Sequence, residues 1–517
     1  MAWEPELEEL RRRTELAERQ GGPDKVDRQH AAGRLTVRER IAALVDPGTF
    51  HEVGAIAGSA TYDDRGELVD LRPANFVCGT ARIDGRKVVL GGDDFTVRGG
   101  ASDAAIAAKQ VHAERMAGAL RLPLVRLVEG TGGGGSVRSL DQIGATYVPA
   151  NPGWDLVIDN LSVVPVVAAG LGPVAGLGAG RLAASHFAVM VEGTSQLFVA
   201  GPPVVELGMH ENLTKEELGG AGVHRRSGAV DLFVPDEPAA LDAVRAFLSY
   251  LPASVYRVPP VQACADPPDR RDDWLASAVP RNRRRPHDVR AIMASLFDAG
   301  TVFEHCRYGG ATVTALARLD GHPVGVLAGD PYHGGGGLTD VGAEAMVRLV
   351  DLCQTFHLPL VVLTDQPGIA IGAEAERRGT IRAAVRATAA VYQATVPAAE
   401  VILRRVFGVG GAAMTNRHGF AARWAWPSGD WGSLPVEGGI EAAYRADLAS
   451  AEDPAARREE IRAGLDAIRS PFRTAERFGI EELIDPRDTR PLLCEWVHDA
   501  YALLPEQLGR PSFGVRP

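Results

Sequence analysis

The sequence predicts an α/β protein made of two tandem copies of one domain, and three observations predict it. The chain repeats itself: Ala81 to Asp94 (ARIDGRKVVLGGDD) returns as Ala317 to Asp330 (ARLDGHPVGVLAGD), and Leu122 to Leu127 (LPLVRL) returns as Leu358 to Leu363 (LPLVVL), both 236 positions later. A repeat of that period means a duplicated fold. Its 517 residues, 45% of them hydrophobic, are more than one core holds, since single domains stop growing at roughly 250–300 residues. Short Val/Leu runs alternate with glycine-rich turns and amphipathic helical spacing, the pattern of an α/β layer.

Taken in order, LVDPGTFHE from Leu44 is answered by LFDAGTVFE from Leu296. Val164-Pro165 and Gly176 recur as Val396-Pro397 and Gly408 at an offset of 232, so one small indel separates the blocks. LPLVVL and its kin are too short for helices and read as buried strands. Leu161 to Gly180 carries no charge over twenty residues, but prolines and glycines make it a poor membrane helix; it reads as a buried strand and a glycine turn. After Asp340, the i, i+3, i+4, i+7 spacing of Met346, Leu349, Val350 and Cys353 predicts a helix with one apolar face. Pro252 to Arg290, with seven prolines and eight arginines, reads as a solvated connector. The domains expected are 1–285 and 286–517.

A net charge of -11 argues against a general nucleic-acid binder. Five scattered cysteines without a C-x-x-C pair fit a reducing compartment and neither a zinc site nor a disulfide framework. No basic-then-apolar leader opens the chain, and the expectation is a cytoplasmic protein with no metal and no membrane partner.

The chemistry centres on glycine turns that follow buried strands: GTGGGG at Gly130, GLGPVAGLGAG at Gly170, DQPGIAIG at Asp365 and FGVGGAAM at Phe407. Glycine permits positive φ and close approach of a ligand to the backbone, and a strand-to-helix turn leaves N–H groups free to hold a negative oxygen. Alone, such glycines usually do no more than pack a turn; recurrence of Gly176 as Gly408 favours two anion-stabilising sites. A competing reading is a dinucleotide fingerprint at Gly170-x-Gly172-x-x-Ala175. No H-E-x-x-H, G-x-S-x-G or Walker sequence occurs. His333, His418 and the pair Arg404-Arg405 lie near the turns; the arginines would steer an anion or end a strand in solvent.

With these turns, the segments GRLTVRERIAALVDPGTFHEVG, DDFTVRGGASD, LFVAGPPVV, TKEELGGAGVHRRSGAVD and the AWP at Ala425 to Pro427 make the chain resemble the carboxyltransferase (β) subunits of biotin-dependent acyl-CoA carboxylases, the propionyl-CoA and methylcrotonyl-CoA group. The resemblance covers almost the whole chain. It implies two tandem crotonase-like domains and a homohexamer built as a trimer of dimers. It also implies an acyl-CoA substrate on the N-terminal domain, biotin on the C-terminal one, and a partner biotin carboxylase and biotin carboxyl carrier subunit. By the same resemblance, N–H groups of Gly176 and Leu177 hold the thioester enolate, and those of Val409 and Gly410 the carboxybiotin oxygen. Phe95, Thr96, Gly99, Gly100 and Ala101, within the Phe95 to Asp103 stretch, lie with Gly132, Gly133 and Ala412 along the coenzyme A thioester, and Gly368, Gly408 and Gly411 along biotin. Biotin must be carried elsewhere, because none of the four lysines has a methionine neighbour.

Three positions depart from the family pattern: Leu177 replaces the second glycine of a pair, Ala412 an aspartate, and Pro435 a glycine. A backbone donor survives at Leu177 if its φ suits a side chain, Ala412 leaves room for a larger acyl group, and Pro435 has no N–H to give. These departures keep open a malonyl-type decarboxylase or a catalytically weak scaffold subunit.

Overall fold

The structure, a computed structural model, describes residues 3–101, 104–130, 132, 140, 144–416 and 419–511. The chain divides into two compact units, Met1–Tyr256 and Arg257–Pro511. The division therefore precedes the expected boundary at 285. The proline- and arginine-rich segment is irregular and largely exposed, as its composition demands, but it is fastened to the second unit rather than strung between the two. Gln262 N donates to Gly321 O (3.0 Å), Arg490 Nε to Pro267 O (3.0 Å) and Trp274 Nε1 to Ser295 Oγ (2.8 Å), while Leu275 is buried in that unit's core.

Each unit carries a mixed sheet of the same strand order. The first holds β1 (His51–Glu52), β2 (Phe76–Ile83), β3 (Arg86–Asp93), β4 (Leu124–Gly130), β5 (Val166–Ala175), β6 (Phe187–Val191), β7 (Gln196–Phe198) and β8 (Leu232–Val234), in the order β1-β2-β3-β4-β5-β6-β8 with β7 beside β5. The second holds β9 (Phe303–His305), β10 (Thr312–Leu319), β11 (His322–Gly329), β12 (Leu360–Gln366), β13 (Ala398–Phe407), β14 (Ala421–Ala425), β15 (Asp430–Gly432) and β16 (Glu482–Leu483), in the order β9-β10-β11-β12-β13-β14-β16 with β15 beside β13. In both, the first two pairings are antiparallel and the remainder parallel. All ten residues of β5 are buried, as expected of a strand covered on both faces.

The repeated sequence blocks have visible causes. Asp-Gly at 84–85 and 320–321 sits at positive φ (49° and 78°; 46° and 77°), the two-residue turn that a right-twisted hairpin prefers. Each turn is held by the aspartate of the LVD or LFD block: Asp46 accepts from Asp84 N (3.0 Å) and Gly85 N (2.8 Å), Asp298 from Asp320 N (3.0 Å) and Gly321 N (2.8 Å). That aspartate follows a helix capped by a side chain, α1 (Val37–Leu44) by Thr36 and its partner in the second unit (Val289–Leu296) by Asp288.

The remaining helices used below are α2 (Leu177–Ala183), α3 (Pro202–Met209) and α4 (Glu237–Tyr250) in the first unit. In the second they are α5 (Val289–Leu296), α6 (Asp340–Phe356), α7 (Gly408–Ala412), α8 (Val436–Ala443) and α9 (Thr489–Leu503). Helix α6 starts where Thr339 Oγ1 accepts from Gly342 N (3.1 Å), and its expected face of Met346, Leu349, Val350 and Cys353 is buried. Leu493, Trp496 and Val497 of α9 join the core formed by β10 to β13. Among the described residues no helix is long and apolar enough to cross a membrane.

Candidate functional site

Both units place a helix start at the carboxyl end of a central parallel strand. In the first, β5 ends at Ala175 and Gly176 turns the chain at φ 62°, ψ -127° into α2. The first intrahelical bond is Gly180 N to Gly176 O (3.1 Å), so the N–H groups of Leu177 to Ala179 precede the ladder. Leu177 is the first residue of α2 and not among the positive-φ residues, so its side chain is tolerated and its N–H retained; the side chain is 43% exposed. Gly132 lies against this turn, since a Cβ there would meet Ala175 O at 3.0 Å, and it bridges to Ala101 as in a parallel ladder. Gly99 and Gly100 both take φ 66°, and a Cβ on Gly100 would meet Glu129 O at 2.7 Å. Gly100, Ala101, Gly132, Gly176 and Leu177 are thus neighbours. Phe95, Thr96 and Gly99 instead line an adjoining recess of about 290 Å³ with Lys25, Arg28, Arg34 and Arg98.

The second unit repeats the construction. Strand β13 ends at Phe407, Gly408 takes φ 58°, and α7 follows, with Ala413 N donating to Val409 O (3.0 Å). Gly410 must be glycine because a Cβ would stand 2.9 Å from both Gly368 C and Ile369 N; Gly411 packs as closely on Val406. Leu338 bridges Ile369 as Ala101 bridges Gly132, and Gly335 (φ 67°) answers Gly99. An open cavity of about 1200 Å³ lies over this turn, lined by Gly368, Ile369, Ile371, Phe407, Gly408, Val409, Gly410, Ala412, Leu434 and Pro435 among others, with no Asp, Glu, Lys or Arg among the described residues of its wall. Pro435 stands at this wall as the residue before α8, where the missing N–H costs the helix nothing. His333 also lines the cavity, with its Nε2 3.7 Å from Asp330 Oδ2. Gly133, Asp103 and His418 lie outside the described residues.

Behind each turn sits a buried carboxylate that sequence reasoning missed. Glu129 occupies the register shift between Val128 and Gly130 in the β4–β5 pairing, and Asp365 the one between Thr364 and Gln366 in β12–β13. Glu129 accepts from Arg40 Nη1 (2.5 Å), Gln29 Nε2 (2.9 Å) and Arg34, and Arg40 also binds Glu237 (2.7 Å). Asp365 accepts from Arg405 Nε (2.6 Å), Nη2 (2.9 Å) and backbone N (3.1 Å), and from Arg404 Nη2 (3.3 Å). Burial pushes the Asp365 carboxyl up, but the Arg405 hydrogen bonds and the two guanidinium charges outweigh it and hold it below its ordinary value. The Arg404-Arg405 pair is therefore not a solvated strand end: Asp365 engages both side chains, one carboxylate between two cations. The signal was present, since Glu129 and Asp365 are 236 positions apart in LVRLVEG and LVVLTDQ. His287, 2% exposed, stands 3.8 Å from Asp365 with neither ring nitrogen hydrogen-bonded.

The dinucleotide reading fails on this geometry. Gly170, Gly172 and Ala175 lie within β5, not in the strand-to-helix turn, and a Cβ at Gly172 would collide with the Glu129 carboxylate. These glycines make room for core side chains and for no phosphate.

Comparison with known proteins agrees in extent and in fold. The family described as the carboxyl transferase domain matches residues 28–501. The carboxyltransferase subunit of propionyl-CoA carboxylase from Haloferax mediterranei is 32% identical over 496 residues, 95% of this chain and 95% of that protein. Methylmalonyl-CoA decarboxylase subunit alpha from Propionigenium modestum is 30% identical over 497 residues, 95% of this chain and 94% of that one. The crystal structure of transcarboxylase 12S, described as a hexamer with methylmalonyl-coenzyme A bound, superposes with a TM-score of 0.85 at 30% identity, covering 96% of this chain and 95% of that chain.

Proposed function

This chain belongs to the carboxyl transferase domain family, and we propose that its two glycine turns are the two anion-holding halves of one carboxyl transfer. The protein is the carboxyltransferase of a biotin-dependent acyl-CoA carboxylase, with two crotonase-like units. The single observation carrying the division of labour is the paired turn. Gly176 and Gly408 take nearly the same positive φ at the ends of equivalent strands, and each opens a helix whose first N–H groups precede the hydrogen-bond ladder.

The residues do this by position and polarity. N–H groups of Gly176 and Leu177 hold the oxygen of the acyl thioester as its α-proton leaves and charge moves onto that oxygen. Donors fixed by a strand end need no reorganisation when charge develops, which is why one is worth about 10²–10³ in rate. N–H groups of Val409 and Gly410 do the same for the biotin head, which fits the second unit because these donors open into a roomy, uncharged cavity. Biotin, carried on a partner subunit, would supply the carboxyl group and the base. Lys25, Arg28 and Arg98 set the recess at Phe95 and Thr96 to receive the phosphates of coenzyme A.

We infer that the roomy cavity of the second unit receives the end of the acyl group as well as the biotin head, and that Ala412 with the apolar wall of Ile369, Ile371 and Leu434 favours an acyl group bulkier than propionyl. Assembly follows the hexamer of the 12S relative: α3 has no buried residue, and Val199, Leu207 and Met209 are 95%, 83% and 68% exposed, an apolar face that another copy would cover. Biotin carboxylase and carrier subunits are the partners, and the cytoplasm is the compartment.

The test is the reverse reaction, which needs no partner subunit. The purified chain is mixed with free biotin and a series of malonyl-, methylmalonyl- and longer alkylmalonyl-CoA thioesters, and loss of the carboxyl group is read by mass spectrometry. Biotin-dependent loss, greatest for a longer alkyl chain, is the result expected. A folded hexamer inactive on every thioester overturns the reading.

A further inference from the structure

At the opposite end of the second unit's sheet from its glycine turn, Asp320, His322 and His498 each place one ligand atom within 4.8 Å of the other two. No spacing in the sequence announces them: the first two lie in and just after the β10–β11 turn, the third on α9, 176 positions beyond His322. His498 Nε2 stands 2.9 Å from Asp320 Oδ2. The His322 ring is fixed edge-on between the rings of His498 (centroids 4.9 Å) and Tyr501 (4.7 Å), and the Tyr501 hydroxyl donates to Pro323 O (2.7 Å).

The tautomer of His322 is set by its surroundings. Its Nδ1 faces the carbonyls of Asp320 (2.8 Å) and Leu319 (3.3 Å), which only accept, so Nδ1 carries the hydrogen and Nε2 the lone pair. A carbonyl on the far nitrogen is the arrangement that orients metal-bound imidazoles.

The duplication supplies an internal control. The first unit's hairpin has the same Asp-Gly turn, but Arg86 stands 236 positions before His322, and its guanidinium donates to the carbonyls of Leu248 and Leu251 at the end of α4. There, a permanent cation ties the hairpin to the unit's last long helix. In the second unit the tie is made by three groups that share a cation only if one is brought.

We propose that Asp320, His322 and His498 form a site for a divalent transition metal of the zinc class, which staples the β10–β11 hairpin to α9. Two imidazoles and one carboxylate are a donor set for zinc, cobalt or nickel rather than for magnesium or calcium, with solvent completing the shell. Bonds of about 2.0–2.2 Å require the ligand atoms to draw in, and His498, with a side chain 51% exposed, is free to swing. The site is remote from the turn chemistry, so its role is structural and its test does not depend on activity.

The full-length chain, freed of metal by a chelator, is titrated with Zn²⁺ against a chromophoric chelator and melted with and without the ion. One equivalent is expected to bind and to raise the Tm. His498→Ala, and His322→Arg, which copies the first unit's solution, each remove a ligand and should weaken that equivalent by at least the ~10- to 100-fold that loss of an outer-shell partner costs, and remove the zinc-dependent rise in Tm while leaving the circular dichroism unchanged. Zinc binding that is absent in the wild type, or the same in both variants as in the wild type, overturns the proposal.

Discussion

Glu129 and Asp365 are one position of the duplicated fold. Each is a carboxylate with no exposed surface, seated where the ladder between the strand pair slips by two residues, and each is gripped by two arginines. The arginines come from different places: Arg34 and Arg40 from α1 and the segment before it, Arg404 and Arg405 from β13 itself. The carboxylate was kept and its counterions were found twice.

Removing one partner of such a pair strands the other charge. Glu129→Gln should lower stability by about 3–5 kcal/mol, because Arg40, fully buried, keeps only Glu237 and the Leu171 carbonyl. Urea unfolding of the first unit's signal checks this, and an unchanged midpoint would mean that the pair does not bear on stability.

Asp365 gives a pH dependence. Its folded pKa is depressed, so the stability it adds is complete above the unfolded value of about 3.9 and is lost as pH falls through the lower folded value. His287 acts at higher pH: burial, aided by Arg404 and Arg405 against the pull of Asp365, pushes its imidazolium down to about 4 from 6.5. A depressed folded value means that the unfolded chain takes the proton first, so stability falls as pH drops below 6.5 and levels off near 4. The full effect is about 3 kcal/mol. Urea midpoints at pH 7 and pH 5 should differ in the wild type and converge in His287→Phe.

Gly410→Ala places a methyl against Gly368 and Ile369 and tilts the turn that carries the donors. The expected result is a kcat lower by about 10²–10³, with KM for the acyl thioester almost unchanged. Gly439→Ala, on α8 with only the Leu434 Cβ nearby at 3.8 Å, is the control that should keep full rate.

Ala412→Asp puts a carboxylate into an uncharged wall. Preference should move from longer to shorter acyl groups by about tenfold or more, in line with ~1–3 kcal/mol for polar groups against apolar surface. Relative kcat/KM on an alkylmalonyl-CoA series reads it directly.

Lys25→Ala and Arg28→Ala should each raise KM for the thioester about two- to fivefold, the worth of an exposed charge, without touching kcat. The difference should shrink in high salt. An equal loss in kcat would place these side chains in the chemistry instead.

The sequence carried the duplication, the strands and the turn glycines because each is local: an Asp-Gly hairpin, an unbroken apolar run and a positive-φ glycine leave marks within a few residues. Gly176, Gly408 and the face of α6 were legible for that reason. The connector's irregular, exposed character was legible but its attachment was not, because composition does not report what irregular backbone is bonded to: Gln262 and Pro267 are hydrogen-bonded within the second unit and Leu275 is packed in its core. Glu129 and Asp365 were passed over because a carboxylate acquires meaning from arginines that arrive from elsewhere in the fold. The recess at Lys25 and Arg28 was hidden likewise, its walls lying about seventy positions apart in the chain.

The donors at Leu177 and Val409 belong to the peptide bond, and the side chains above them are 43% and 65% exposed. Conventional alanine scanning is therefore blind to them: Leu177→Ala and Val409→Ala leave the hydrogen-bond donors in place. An amide-to-ester replacement, made by incorporating the α-hydroxy acid at either position, deletes the N–H while keeping the side chain, and weakens the preceding carbonyl as an acceptor, which at position 177 is the Gly176 O that receives Gly180 N. Over generations the same feature gives these two positions a freedom that reactive side chains never have, so the residue at the heart of each turn can drift and reshape the pocket's rim while the chemistry is inherited unchanged.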